Sequence, residues 1–289
     1  MGQTAVVFPK LKKAYRSVVR HPSVDRAVHG SLDAIVDGIA VLRDFAFPKK
    51  FNWDWKWEML SGAYEKDTVA IFRRIIKPGM VVVDIGAHIG YFTRLYAELV
   101  GPNGSVHAFE ADPGNFALLE RNVRGRDNVK AYAQAIADRA GTIAFYETEN
   151  HTGCHSLVAS ENRPHALTVQ CTTLDELVRS GAMPRVDVIK MDIEGGEPIA
   201  LRGMRETVAS NPNIVLVTEF CPDNFRETST RPSEYLAQLH ELGLRTYSIT
   251  AEGLKEITPE LNRVGTWFIK PDYHYVNILA AKTLPPELV

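Results

Sequence analysis

Residues 81–90 read VVVDIGAHIG, and the fold turns on them. Three β-branched valines ahead of Asp84 suit a parallel strand that is covered on both faces. Gly86 and Gly90 then let the backbone turn tightly and come close to a ligand. Residues 91–100 continue as a helix. In open α/β sheets ligands bind at such a carboxyl edge, beside the N-terminus of the following helix.

The flanking sequence repeats the pattern. Residues 64–77, YEKDTVAIFRRIIK, form an amphipathic helix through Val69, Phe72, Ile75 and Ile76, stopped by Pro78-Gly79. Strands are expected at 105–109, 129–136, 186–191 and 214–218, with helices at 115–124, 174–179, 197–208 and 233–242. Thr173 caps the second of these helices, with Glu176 three residues on in a capping box. Pro198 fits the first turn of the third. Each strand–helix–strand unit should cross over with right-handed chirality. Two shorter strands, 141–148 and 167–171, enclose a polar loop that bears His151, Cys154 and His155. Strands at 247–249 and 266–269 close the pattern, ahead of a proline-containing tail. The expectation is a doubly wound, mostly parallel α/β domain over 64–289, with a small β insertion at about 141–171.

Residues 1–63 form an N-terminal extension. Helices are expected at 18–28 and 32–45, interrupted by Pro22, Gly30 and Gly38. FNWDWKWEML follows. As a strand it would put Trp53, Trp55 and Trp57 on one face. Two roles stay open for these rings, an anchor for the extension or an aromatic wall beside a substrate, since indoles offer stacking area and an N–H donor.

Composition excludes several classes. The formal net charge of the 289 residues is −2, which gives no electrostatic ground for a nucleic-acid partner. No run approaches the roughly 18 apolar residues of a spanning helix. The first residues lack the apolar core of an export signal, and Val6 stands where a myristoylation pattern wants Ser or Thr. Cys154, Cys171 and Cys221 are too few for a disulfide framework or a four-cysteine zinc site. A soluble cytoplasmic protein is expected.

Acidic residues mark the strand ends. Glu110, Asp192 and Glu219 stand at or just after three of them, and Asp84 lies near the end of a fourth. A carboxylate after the second strand suits the two hydroxyls of a ribose. The turn GAHIG, however, is neither G-x-G-x-x-G nor G-x-x-x-x-G-K-[ST], so a pyrophosphate grip is missing. S-adenosylmethionine, which has a ribose but no phosphate, fits better.

Three segments, VVDIGAHIGYFT, VHAFEADPGNFALLERNV and VIKMDIEGGEPIALRG, resemble the FkbM family of S-adenosylmethionine-dependent methyltransferases. The motif D-x-G-A-N-x-G appears as Asp84, Gly86, Ala87, His88 and Gly90, with His88 replacing the usual asparagine. E-P-x-P appears as Glu110, Ala111, Asp112 and Pro113, and K-x-D-x-E-G-x-E as Lys190, Asp192, Glu194, Gly195 and Glu197. The resemblance implies a seven-stranded, Rossmann-like class I fold. It also implies methylation in natural-product, glycan or glycolipid assembly, usually at oxygen, with nitrogen not excluded.

What it implies for individual residues follows. Gly86, Ala87, Gly90 and neighbouring backbone would face the methionine part of the cofactor, with Asp84 ordering the turn. Glu110 and Ala111 would meet the ribose, Ala137 and Asp138 the adenine, and Asp192 the sulfonium. Glu65 and His88 are counted with the cofactor residues as well. Methyl transfer is an in-line displacement, and an alcohol acceptor benefits from a positioned base. Asp192, Glu194 and Glu219 are the preferred candidates, with His151 and His155 behind them. Trp53, Trp55, Trp57 and Tyr64 are the expected acceptor pocket. Asp192, Glu194 and Glu219 could instead converge on a hard divalent cation; that alternative is not favoured. A nicotinamide oxidoreductase and a non-catalytic binding protein are the rival functions, and a homodimer through the N-terminal segment is left open.

Overall fold

The computed structural model describes residues 22–49, 51–148, 153, 155–159, 164–183, 185–226, 230–257 and 275–289, of which 22–29, 223 and 226 by their backbone alone. The expected strand at 266–269 and His151 lie outside them. The chain forms two compact units, Met1–Lys66 and Asp67–Val289.

In the first unit, helix α1 (Pro22–Leu42) runs unbroken through Gly30 and Gly38. Two helices were expected. A single glycine costs a helix only about 1 kcal/mol relative to alanine, so neither ends it, and Pro22 is tolerated in the first turn. The tryptophan segment is also helical, not extended: α2 spans Trp53–Ser61. Alternation of indoles is compatible with both periods, and the ends decide. Asn52 is extended at the N-cap, and Gly62 takes a left-handed φ of 75° at the C-cap. The N–H of Ala63 then returns to Glu58 O at 2.9 Å, as in a Schellman closure. In a helix Trp53 and Trp57 share a face, whereas Trp55 turns away and is 37% exposed. Lys56 is buried and reaches Asp33 and Asp37, one turn apart on α1, at 3.3 and 2.7 Å.

The second unit begins with α3 (Lys66–Ile75), β1 (Val81–Ile85), α4 (Tyr91–Val100), β2 (Ser105–Phe109), α5 (Pro113–Asn122) and β3 (Val129–Tyr132). Then come β4 (Ala135–Ile136), β5 (Gly141–Glu147), β6 (His165–Thr172), α6 (Leu174–Arg179), β7 (Val188–Met191), α7 (Glu197–Arg202) and α8 (Arg205–Ser210). The series continues with β8 (Val215–Phe220), α9 (Pro222–Arg226), α10 (Pro232–Glu241), β9 (Arg245–Thr250), β10 (Gly253–Glu256) and β11 (Val276–Ala281). The main sheet has eight strands in the order β10-β9-β11-β8-β7-β1-β2-β3, one more than expected. The added strand is β10, a hairpin partner of β9. Strands β3, β2, β1, β7 and β8 are parallel; β11 pairs antiparallel with both β8 and β9. The expected tail is thus partly a buried inner strand.

Two further expectations are corrected. Residues 129–136 make two strands in different sheets, because β4 leaves the main sheet to pair with β6 in the three-stranded insertion β4-β6-β5. Residues 197–208 make two helices. They part at Gly203, where a Cβ would lie 1.8 Å from Ala137 O, so the turns just past α7 and β4 approach closer than any side chain permits. The core beneath β7, β8 and β11 is packed with Phe220, Phe225, Tyr235, Leu236, Met204 and Ile278.

Candidate active site

The carboxyl ends of β3, β2, β1 and β7 open on a cleft of about 520 Å³, its solvent-filled mouth included. Along the sheet it is lined in turn by Gln134–Ile136, by Phe109–Ala111, by Ile85, Gly86 and His88, and by Asp192 and Ile193. The insertion supplies Phe145, Gly153, His155 and Leu157, and α5 supplies Asn115.

The turn after β1 is built by close approach. Gly86 has φ 78°, and a Cβ there would stand 1.9 Å from Asp192 O. The N–H groups of Gly86 and Ala87 both donate to Phe109 O at 3.0 Å, and Asp192 N–H donates to Ile85 O at 3.0 Å. His88 is also left-handed, φ 50°. Asparagine and histidine are among the few side-chain residues that tolerate this region, so the exchange at this motif position preserves the backbone. Burial lowers the His88 imidazole to about 4, so the ring is neutral at neutral pH.

Glu110 is held by its neighbours. Its Oε2 accepts from His88 N–H and its Oε1 from Asp112 N–H, both at 2.8 Å. Burial pushes its carboxyl up to about 8 in spite of those donors. The Ala111 N–H also favours the ionised form, and the carboxyl keeps acceptor capacity for a further donor in the cleft. Asp112 also caps α5, accepting from Asn115 N–H at 2.6 Å. Asp84 is fully buried; its Oδ2 accepts from Thr93 Oγ1 at 2.6 Å, and its Oδ1 has no hydrogen-bond partner. Burial raises its pKa above the usual carboxylate range, opposed chiefly by Lys190.

Asp192 lines the other end of the cleft, and behind it one oxygen from each of Asp192, Glu194 and Glu219 lies within 4.8 Å of the others, although Glu194 and Glu219 do not line the cleft themselves. Glu219 belongs to β8 itself, opposite Asn277 on β11, and does not follow the strand. Burial, then Asp192 and Glu194, push its carboxyl well above the usual range. Glu194 has a left-handed φ of 53°, and its Oε2 accepts from Asn224 Nδ2 at 2.7 Å. Glu197 is the residue that orders the loop, accepting from Ile193 N–H at 3.0 Å and Gly195 N–H at 2.9 Å. Lys190 Nζ lies 3.0 Å from Asp192 Oδ2 and 4.9 Å from the Phe92 ring centroid. Such closeness among carboxylates serves a shared proton or a hard cation, and an ammonium already at Asp192 favours the proton.

Several expected site residues lie elsewhere. Ala137 is fully buried, its carbonyl against Gly203, and Asp138 pairs with Arg202 at 3.1 Å and Arg139 at 3.3 Å. Neither lines the cleft; Gln134, Ala135 and Ile136 do, because the chain kinks there between two sheets. Gly90 lies under α5, where a Cβ would come within 2.8 Å of Leu119 Cδ1, and serves packing. Trp53, Trp55, Trp57, Tyr64 and Glu65 belong to the first unit. There Trp55 contacts Phe51 and Tyr64 with centroids 6.0 and 6.4 Å apart. His155 does line the cleft, its Nδ1 accepting from Thr148 N–H at 3.0 Å. Lys190 belongs to the K-x-D-x-E-G-x-E pattern, which by itself names no role for it, and Asn224 and Gln134 carry no sequence signal.

Residues 84–246 match the family model described as Methyltransferase FkbM domain. The hexuronic acid methyltransferase AglP of Haloferax volcanii is 29% identical over 164 residues, 56% of this chain and 64% of that protein. The 2-O-methyltransferase NoeI of Sinorhizobium fredii is 25% identical over 163 residues, 49% of this chain and 65% of that one. The 31-O-demethyl-FK506 methyltransferase FkbM of Streptomyces tacrolimicus is 45% identical over 74 residues, 25% and 28% of the two chains. The match thus spans less than two thirds of each of these relatives. With more than half of its length under the family model, the chain belongs to the FkbM methyltransferase domain family.

Proposed function

We propose that the chain is an S-adenosylmethionine-dependent methyltransferase that acts on a hydroxyl of a sugar, glycolipid or natural-product intermediate. The observation that carries this reading is Glu110, a buried carboxyl on the cleft wall with acceptor capacity left for a ribose diol. The cofactor suits the cleft on two further counts. Asp84 keeps an unpartnered buried oxygen beneath the glycine turn, and no pyrophosphate-gripping glycine pattern is present. One relative is named for a hexuronic acid and another for 2-O-methylation, which together support an oxygen of a sugar as the acceptor.

Bound there, S-adenosylmethionine supplies an activated methyl group on a cationic sulfur. The protein's own tasks are orientation and proton removal. Glu110 holds the ribose, the stretch 134–136 flanks the adenine, and the Gly86 turn faces the methionine portion. Asp192, at the far end beside Glu194 and Glu219, stands where an acceptor's proton is taken up. His155 faces the same cleft as a second base. We place the protein in the cytoplasm, in keeping with its composition.

Calorimetry with S-adenosylmethionine, S-adenosylhomocysteine and NAD tests the assignment. Micromolar binding of the first two and none of NAD is expected, with Glu110→Ala weakening binding at least tenfold. Binding of NAD alone, or of none of the three, overturns it.

A further inference from the structure

Lys190 is the buried cation of this site. It lies on β7 beside Asp84 of β1, only 4% exposed. Its ammonium rests between the carboxylate of Asp192 and the ring of Phe92 on α4. Around Asp192 stand Asp84 from β1, Glu194 and Glu197 from the loop and helix after β7, Glu219 from β8, and the neutral imidazole of His88. Burial holds Asp84, Glu197 and Glu219 toward their neutral forms, which leaves Asp192 and Glu194 set against one ammonium.

Such a surplus has a cost for this chemistry. The sulfonium loses its charge as the methyl group leaves, so attraction for the cation is strongest in the ground state and weakens toward the transition state. A carboxyl cluster gripping the sulfonium would therefore tighten binding and slow transfer. The order of residues along the cleft puts Asp192 at the methionine end, on the opposite side of the Gly86 turn from Glu110.

We propose that Lys190 is a positioning residue that balances charge at the methyl-transfer end: its ammonium, held against Asp192 and Phe92, keeps the carboxyl cluster from binding the cationic sulfonium much more tightly than the neutral thioether product. The proposal rests on the methyltransferase reading. It also explains why a strand that ends in a cofactor-facing acid carries a buried lysine two residues earlier, at a position where an apolar side chain would be easier to bury.

The test is the ratio of dissociation constants for S-adenosylhomocysteine and S-adenosylmethionine, which needs no acceptor. Four proteins are compared by calorimetry at neutral pH: wild type, Lys190→Met, Asp192→Asn and the double variant, with Lys190→Arg as the conservative control. The wild type should bind both compounds within a few-fold. Lys190→Met should shift the ratio at least about tenfold toward the sulfonium, the effect of a unit charge removed near the sulfur at an effective dielectric near 20. Asp192→Asn should shift it the opposite way, the double variant should fall near wild type, and Lys190→Arg should keep the wild-type ratio. Parallel loss of both affinities in Lys190→Met, with the ratio unmoved, overturns the proposal and leaves Lys190 a packing residue. If Lys190→Met does not fold, the double variant leaves no uncompensated buried charge; its comparison with Asp192→Asn still reads the lysine's contribution. A wild type that binds neither compound defeats the methyltransferase reading itself, and this proposal with it.

Discussion

Substituting alanine for Gly86 tests the central construction of the cleft. The new Cβ would lie 1.9 Å from Asp192 O and 2.9 Å from both Asp192 C and Ile193 Cγ2. Ordinary contact begins near 3.4 Å, so one of the two turns must move by well over 1 Å. Neither is free to do so, because Asp192 N–H is tied to Ile85 O and Gly86 N–H to Phe109 O. The left-handed φ of 78° adds its own penalty. Together these amount to about 1–2 kcal/mol for conformation and about 1–3 kcal/mol for overpacking. In a domain of this size that lowers the melting temperature by roughly 4–20 °C. Gly79 supplies the control: its φ is 84°, with nothing within 4 Å of the added Cβ. Gly79→Ala should lose only the conformational part, roughly 2–8 °C, and bind S-adenosylhomocysteine as wild type does. Gly86→Ala should lose at least tenfold in that affinity. Equal melting temperatures and equal affinities for the two variants would refute the close-approach argument.

Three other outcomes are expected. Burial holds Glu110 and Glu197 up to about 8 in the fold, whereas both fall to ordinary carboxylate values on unfolding. The folded chain therefore binds more protons between about pH 4.5 and 8, and urea-unfolding free energy should decrease as pH rises through that window. Glu197→Gln should flatten the curve, and a free energy that climbs with pH contradicts the assignment. Thr93→Val removes the hydrogen bond at 2.6 Å from a fully buried Asp84 carboxyl; it should cost about 1–3 kcal/mol in the same assay, and no change would mean that the bond is dispensable. Asp138→Ala should leave affinity for S-adenosylhomocysteine within about threefold, since that carboxylate is engaged with Arg202 and Arg139; a tenfold loss would return it to the adenine site.

What could be read from the sequence divides along physical lines. The β1 turn, the Glu110 position and the Asp192–Glu197 loop were legible because they are local: glycines at forced φ values and acids just past buried strands. His88 looked like a departure from the motif until its φ of 50° showed which backbone property the position demands. Alternating tryptophans suggested a strand because the side-chain pattern was weighed without the ends, yet Asn52 and Gly62 are ordinary helix boundaries. The break at Gly203 and the departure of β4 from the main sheet depend on what packs against them, Ala137 in one case and β6 in the other. Asp138 follows what the pattern presents as one strand over 129–136; the kink after Tyr132 moves the lining role to residues 134–136. Asn224 holds Glu194 across 30 positions of sequence, and nothing local announces it.

The position of β11 also bears on how the chain folds as it is made. In sequence it follows β9 and β10, but in the sheet it stands between β9 and β8. Until residues 276–281 have been synthesised, β8 and β9 each present an open edge with unpaired backbone groups, flanked by apolar Val215, Leu216, Val217 and Ile249. Exposed edges of this kind recruit other chains, and late non-local pairing prolongs their exposure. The nascent protein therefore passes through a stage in which the parallel half of the sheet is complete while a slot one strand wide remains open. Closing that slot joins the two halves of the sheet and covers both edges.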